Sequence, residues 1–188
     1  MIPYTIDRRA DTGVTNVTLG IWLFLASEAM LFGALFSSYA LLRVSAPHWP
    51  RGLDVLGLWF GVANTIVLSV MTALVWRARA LDVGRAQPLL VASSLLALAF
   101  LGIKSVEWYG EIRAGLVPSL NTFFAMYFTM TGLHALHVIS GLIANGWALL
   151  GRQRVGDAMT MGRVRALALY WAFVDVVWLV ILVLFYLT

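Results

Sequence analysis

Val176-Val-Trp-Leu-Val-Ile-Leu-Val-Leu-Phe185 is apolar on every side. A surface helix keeps a polar stripe and a half-buried strand alternates; this run does neither. Extended over 166–187 it reaches the length of about 20 apolar residues that a helix needs to cross a bilayer. Four more segments do the same, at 17–42, 53–76, 88–109 and 122–150. Barrel strands would show about ten residues of strict alternation, whereas runs such as Ile21-Trp-Leu-Phe-Leu-Ala26 are apolar all round. Helices also satisfy every backbone group within their own segment, as lipid demands. The expected fold is all-α, an integral membrane bundle of five transmembrane helices, with 1–188 forming one membrane domain.

Composition agrees. Of 188 residues 61% are hydrophobic and 12% charged, against roughly 25% charged in soluble domains, and the mean hydropathy is +0.87. The net charge of +4 comes from short basic segments between apolar runs. Anionic headgroups fit that pattern, and nucleic acid does not. With no cysteine in the chain, disulfides, thiolate metal sites and covalently attached haem are excluded. The first 16 residues, with Asp7, Arg8, Arg9 and Asp11, lead into an apolar stretch longer than a signal peptide's core, so the segment reads as retained.

Orientation follows from the basic residues. Arg8, Arg9, Arg77, Arg79, Arg85, Arg152, Arg154, Arg163 and Arg165 fall on one side, and Arg43, Arg51, Lys104 and Arg113 on the other. The amino terminus is expected in the cytoplasm and the carboxyl terminus outside.

Polar residues recur near the middle of four spans: Glu28, Asn64, the pair His134 and His137, and Asp175. An unpaired charge at that depth costs at least roughly 2.5–3.5 kcal/mol, so these groups are expected to face one another inside the bundle. His134 and His137 share a helix face, where a carboxyl and an imidazole can meet. A metal site fails on counting: bis-histidine haem normally draws on two helices, a di-iron bundle needs paired Glu-x-x-His motifs, and His48 lies in a proline-flanked loop. No nucleophile elbow or phosphate loop is present. Neither catalytic nor metal-binding residues are assigned, and no cofactor is expected in this chain. Lys104, Glu107 and Glu111, at three- and four-residue spacing at the external end of the third helix, read as a solvated or headgroup-level salt-bridge ladder.

Three stretches carry a family resemblance: Gly20-Ile-Trp-Leu-Phe-Leu-Ala-Ser-Glu28-Ala-Met-Leu-Phe32, Thr131-Gly-Leu-His134-Ala-Leu-His137-Val, and Tyr170-Trp-Ala-Phe-Val-Asp175-Val-Val-Trp178. They resemble, in order, signature stretches of cytochrome c oxidase subunit III, with Lys104-Ser-Val-Glu107-Trp-Tyr109 as a weaker fourth. The resemblance implies the five-helix bacterial form, in the cytoplasmic membrane, as a non-catalytic subunit of a proton-pumping terminal oxidase. It further implies haem and copper in partner subunits, direct contact with subunit I, association with subunit II, bound phospholipid, and a role in proton uptake and in stabilising subunit I. Glu28, His134 and His137 match the family's glutamate and histidine pair. Ala172 departs from the usual Tyr-Trp-His-Phe-Val-Asp, and Lys104 replaces a common glutamine.

The same resemblance admits a quinol oxidase or an accessory subunit of a nitric oxide reductase. From other classes, a small transporter or proton channel would need a polar path to both surfaces, and a structural assembly factor would matter only before the complex is complete.

Overall fold

The computed structural model describes residues 13–188, and within 152–155 the backbone alone. Among the described residues all regular structure is helical: α1 (Asn16–Ser45), α2 (Gly52–Val55), α3 (Leu58–Ala78), α4 (Val83–Arg113), α5 (Thr122–Leu150) and α6 (Arg152–Tyr186). Five are long and apolar enough to cross a membrane, the last over Gly156–Tyr186. Arg8 and Arg9, used for the expected orientation, and Asp7 and Asp11 lie outside the described residues, as do the side chains of Arg152 and Arg154.

Two helix starts have side-chain caps. Thr15 Oγ1 accepts from the Thr18 amide at 3.2 Å and Asn121 Oδ1 from the Phe124 amide at 3.0 Å, each satisfying a donor that the first turn leaves over. The fourth span begins and ends where the sequence placed it, and the others differ. The expected second span, 53–76, is cut near its start: Leu56 and Gly57 are extended, so 52–55 forms the separate short helix α2. Gly52 donates its amide to the Thr188 carbonyl at 2.8 Å, and a Cβ there would overlap the Phe185 carbonyl. Helix α4 begins before Pro88, at the Asp82 cap, and runs past Tyr109 to Arg113. Helix α6 continues back through Arg165 and Arg163 to a break at Gly156, where φ is 76°. Arginine is a good helix former, so basic residues mark where that helix leaves the apolar layer without ending it.

Helix α6 is the centre of the bundle, touching α1, α2, α3, α4 and α5, and Trp171, Trp178, Ile181, Phe185 and Tyr186 on it are fully buried. Burial along the neighbours follows stripes of three- and four-residue spacing, the pattern of tightly packed antiparallel helices. In α3 the stripe is Gly61, Asn64, Leu68, Met71, Val75 and Ala78. In α4 it starts with Val83, Ala86 and Leu90 and ends with Lys104, Glu107 and Glu111. Helix α1 is peripheral, buried only at Leu25, Phe32 and Tyr39. At Gly141 the α5 backbone comes so close to α6 that an added Cβ would lie 2.5 Å from the Trp171 ring; small residues make such approaches feasible in membranes.

Candidate functional site

Glu28 and His137 meet across α1 and α5. Nε2 of His137 lies 2.9 Å from Oε2 of Glu28, and the side chains are 12% and 17% exposed respectively. The second imidazole nitrogen, Nδ1, lies 2.8 Å from the Leu133 carbonyl. A carbonyl only accepts, so Nδ1 carries a proton. One further proton is then shared between Nε2 and Oε2, and whichever atom holds it the pair is neutral overall. That arrangement avoids the cost of a net charge at mid-membrane. The imidazole is held further by an edge contact with Phe32, ring centroids 5.1 Å apart, and Tyr170 of α6 donates to the His137 carbonyl at 2.6 Å.

The other expected members of the polar layer go elsewhere. His134 falls on the buried stripe of α5, between Phe100 and Trp178 at ring-centroid distances of 5.5 and 5.2 Å, and neither ring nitrogen finds a hydrogen-bond partner. Asn64 is wholly buried, also without a side-chain partner. Asp175 is half-buried and accepts from Ser69 Oγ at 3.4 Å, while Trp178 donates to Thr65 at 2.9 Å. Of the five residues expected to face one another, only Glu28 and His137 are hydrogen-bonded together. His137 is committed to Glu28 and Leu133 and His134 is walled by aromatic rings, so the two do not converge on a metal or haem iron. Among the described residues no three His, Cys, Asp or Glu side chains gather to hold an ion.

Lys104, Glu107 and Glu111 do not form a solvated ladder on the helix surface. Each is buried, Lys104 being 1% exposed, because they continue the α4 stripe that Val83 begins. Lys104 Nζ lies 2.9 Å from Glu107 Oε2 and 2.7 Å from the hydroxyls of Tyr127 and Tyr186. The sequence signal was this register, which the charges mask. A second missed group is Asn145, which donates to Ser93 at 3.1 Å and accepts from Trp171 Nε1 at 3.1 Å, tying α4, α5 and α6 together.

A multi-pass helical membrane protein with several polar side chains buried in its bundle, and with a carboxyl–imidazole pair at mid-span, is the class these features define. The family model for cytochrome c oxidase subunit III matches residues 8–188. The chain belongs to the cytochrome c oxidase subunit III family. The haem-copper oxidase subunit I+III of Aeropyrum pernix is 34% identical over 92% of this chain, which spans 23% of that longer protein. Cytochrome bo(3) ubiquinol oxidase subunit 3 of Pseudomonas aeruginosa is 31% identical, and the match covers 96% of this chain and 88% of that one. For cytochrome c oxidase subunit 3 of Triticum aestivum the identity is 38%, over 89% and 66%. The relatives are therefore subunits III of haem-copper oxidases, of both cytochrome c and quinol types.

Proposed function

We propose that this chain is the non-catalytic subunit III of a proton-pumping haem-copper terminal oxidase in a bacterial cytoplasmic membrane, seated against subunit I and alongside subunit II. The observation that carries the reading is the Glu28–His137 bond. The pair lies between the peripheral helix α1 and α5, and on this reading it holds a shared proton on the margin of the bundle that faces a partner. Fusion of subunits I and III in the Aeropyrum pernix relative supports subunit I as the neighbour. Haem and copper then reside in partner subunits, and this chain supports proton uptake and the endurance of subunit I during turnover. The chain as a whole is read as one membrane domain, amino terminus cytoplasmic. Names of relatives include both donor types, and the donor is a property of the other subunits.

Bound phospholipid is supported by a cleft of about 730 Å³ between α1, α5 and α6, lined by Phe24, Ala144, Trp147, Arg163, Leu167 and Tyr170 among others. The Arg163 guanidinium stacks on Trp147 at 3.5 Å, and its Nη1 has no hydrogen-bond partner. An acyl chain suits the apolar walls and a phosphate suits the cation.

The test is affinity purification on a tag carried by this chain. Haem and copper should co-purify and, after the subunits are separated, stay with a larger subunit. Purification without any haem-bearing partner would contradict the reading.

A further inference from the structure

The Lys104 network sits away from the Glu28–His137 pair, near the ends of α4 and α6 and the start of α5. Its hydrogens can be counted. As an ammonium ion Lys104 Nζ has one hydrogen for each of its three acceptors, Glu107 Oε2, Tyr127 and Tyr186. Tyr186 donates its hydroxyl hydrogen to Glu107 Oε1 at 2.5 Å. Tyr127 lies 2.8 Å from Glu111 Oε1 and 3.2 Å from Glu107 Oε1, and its one hydrogen goes to the nearer oxygen, on Glu111. Both oxygens of Glu107 are then served. One oxygen is left over, Oε2 of Glu111, which is buried and has no partner.

Charge gives the same answer by a separate route. Lys104 and Glu107 cancel, and the second carboxyl has no second cation. A buried carboxylate with no cation of its own is costly, and a proton on Oε2 removes that charge.

We propose that Glu111 is a proton-binding site, taking a proton on Oε2 while Oε1 keeps its bond from Tyr127. The proton is exchanged with water at the α4–α5 connection. Glu111 lies within one turn of the last residue of α4, Arg113, and 114–115 and 118–121 beyond it are exposed. Only an O–H bond is made or broken, with hydronium as source and water as product. Inward the network is closed: the Trp178 ring lies 5.7 Å from Lys104 Nζ and 5.2 Å from the His134 ring, so the indole separates the two. The titratable groups facing Glu111 are Lys104 and Glu107 on α4, Tyr127 on α5 and Tyr186 on α6. From α3, which packs along α4, uncharged Gly61 meets the Tyr186 ring. Arg51, at the start of α2, and Asp54, within it, are exposed and paired with each other. The inference stands on the geometry of this chain and does not depend on which oxidase contains it.

The test is infrared difference spectroscopy of the purified complex across a pH series, in H2O and D2O. A carboxylic acid C=O band should be present at low pH, vanish as pH rises, shift in D2O, and be lost in Glu111→Gln but kept in Glu28→Gln. Should Glu111→Gln fail to assemble, the native complex labelled with carboxyl-13C glutamate must show the band displaced, and Tyr127→Phe must shift its frequency by removing the bond to Oε1. Absence of any Glu111-dependent C=O band would overturn the proposal. So would a band indifferent to pH and D2O, or a Glu111 response to sodium or calcium in place of pH.

Discussion

Nε2 of His137 and Oε2 of Glu28 stand 2.9 Å apart with Nδ1 of the same ring committed to the Leu133 carbonyl, so the two side chains share one proton between two helices. A hydrophobic carbodiimide needs an acid proton and lipid access, and Glu28 offers both when the shared proton sits on Oε2. Peptide mapping of treated membranes should find the label on Glu28 and not on the exposed Asp54 or Asp82. Labelling confined to other carboxyls, or unchanged in Glu28→Gln, would contradict this assignment.

Lys104 and Glu107 form a buried pair in which each serves the other. Removing one partner leaves an uncompensated charge, at a cost of about 3–5 kcal/mol. Lys104→Met alone should sharply lower the denaturant midpoint of the chain in detergent. The double variant Lys104→Met with Glu107→Gln should recover part of that loss, because no charge is then left unpaired. Equal and additive effects would show that the two residues are not coupled.

Gly141 is where α5 presses on Trp171 and Tyr170. Gly141→Ala should destabilise by about 1–3 kcal/mol through overpacking, whereas Gly132→Ala, with nothing near its added methyl, should leave the denaturation midpoint within about 0.5 kcal/mol. The two midpoints measured side by side decide it.

Sequence patterning showed the five spans because an all-apolar run in a helix of this length has one solvent that suits it. It also picked out Glu28 and the pair His134 and His137, since ionisable groups at mid-span must find partners, but it did not decide which imidazole meets the carboxyl. The break at Leu56 and Gly57 was hidden by its own apolar composition: α2 is set by docking on the end of α6, a contact distant in sequence. Lys104, Glu107 and Glu111 were misplaced because charge at a helix end ordinarily marks the surface. Their position on the stripe from Val83 to Phe100 was the contrary signal, and burial became clear only with Tyr127 and Tyr186 in place. Asn64 and His134 are buried as expected yet join no network, since their stripes face the α6 core while His137 turns toward α1.

The orientation read from the arginines has a direct check, as the native chain contains no cysteine. Single cysteines introduced at His48 or Ser119 should react with an impermeant thiol reagent in intact cells, and those at Ala80 or Asp82 should not. The reverse pattern would invert the topology.

Deletion of this chain separates a supporting subunit from an assembly factor. The account predicts that the remaining complex assembles with its haem spectrum, begins oxygen reduction at a rate near that of the intact complex, and then loses activity progressively with the number of turnovers. Re-expression of the chain should restore endurance. A deletion strain with no assembled haem-bearing complex, or one whose activity persists through turnover as in the intact complex, would contradict the account.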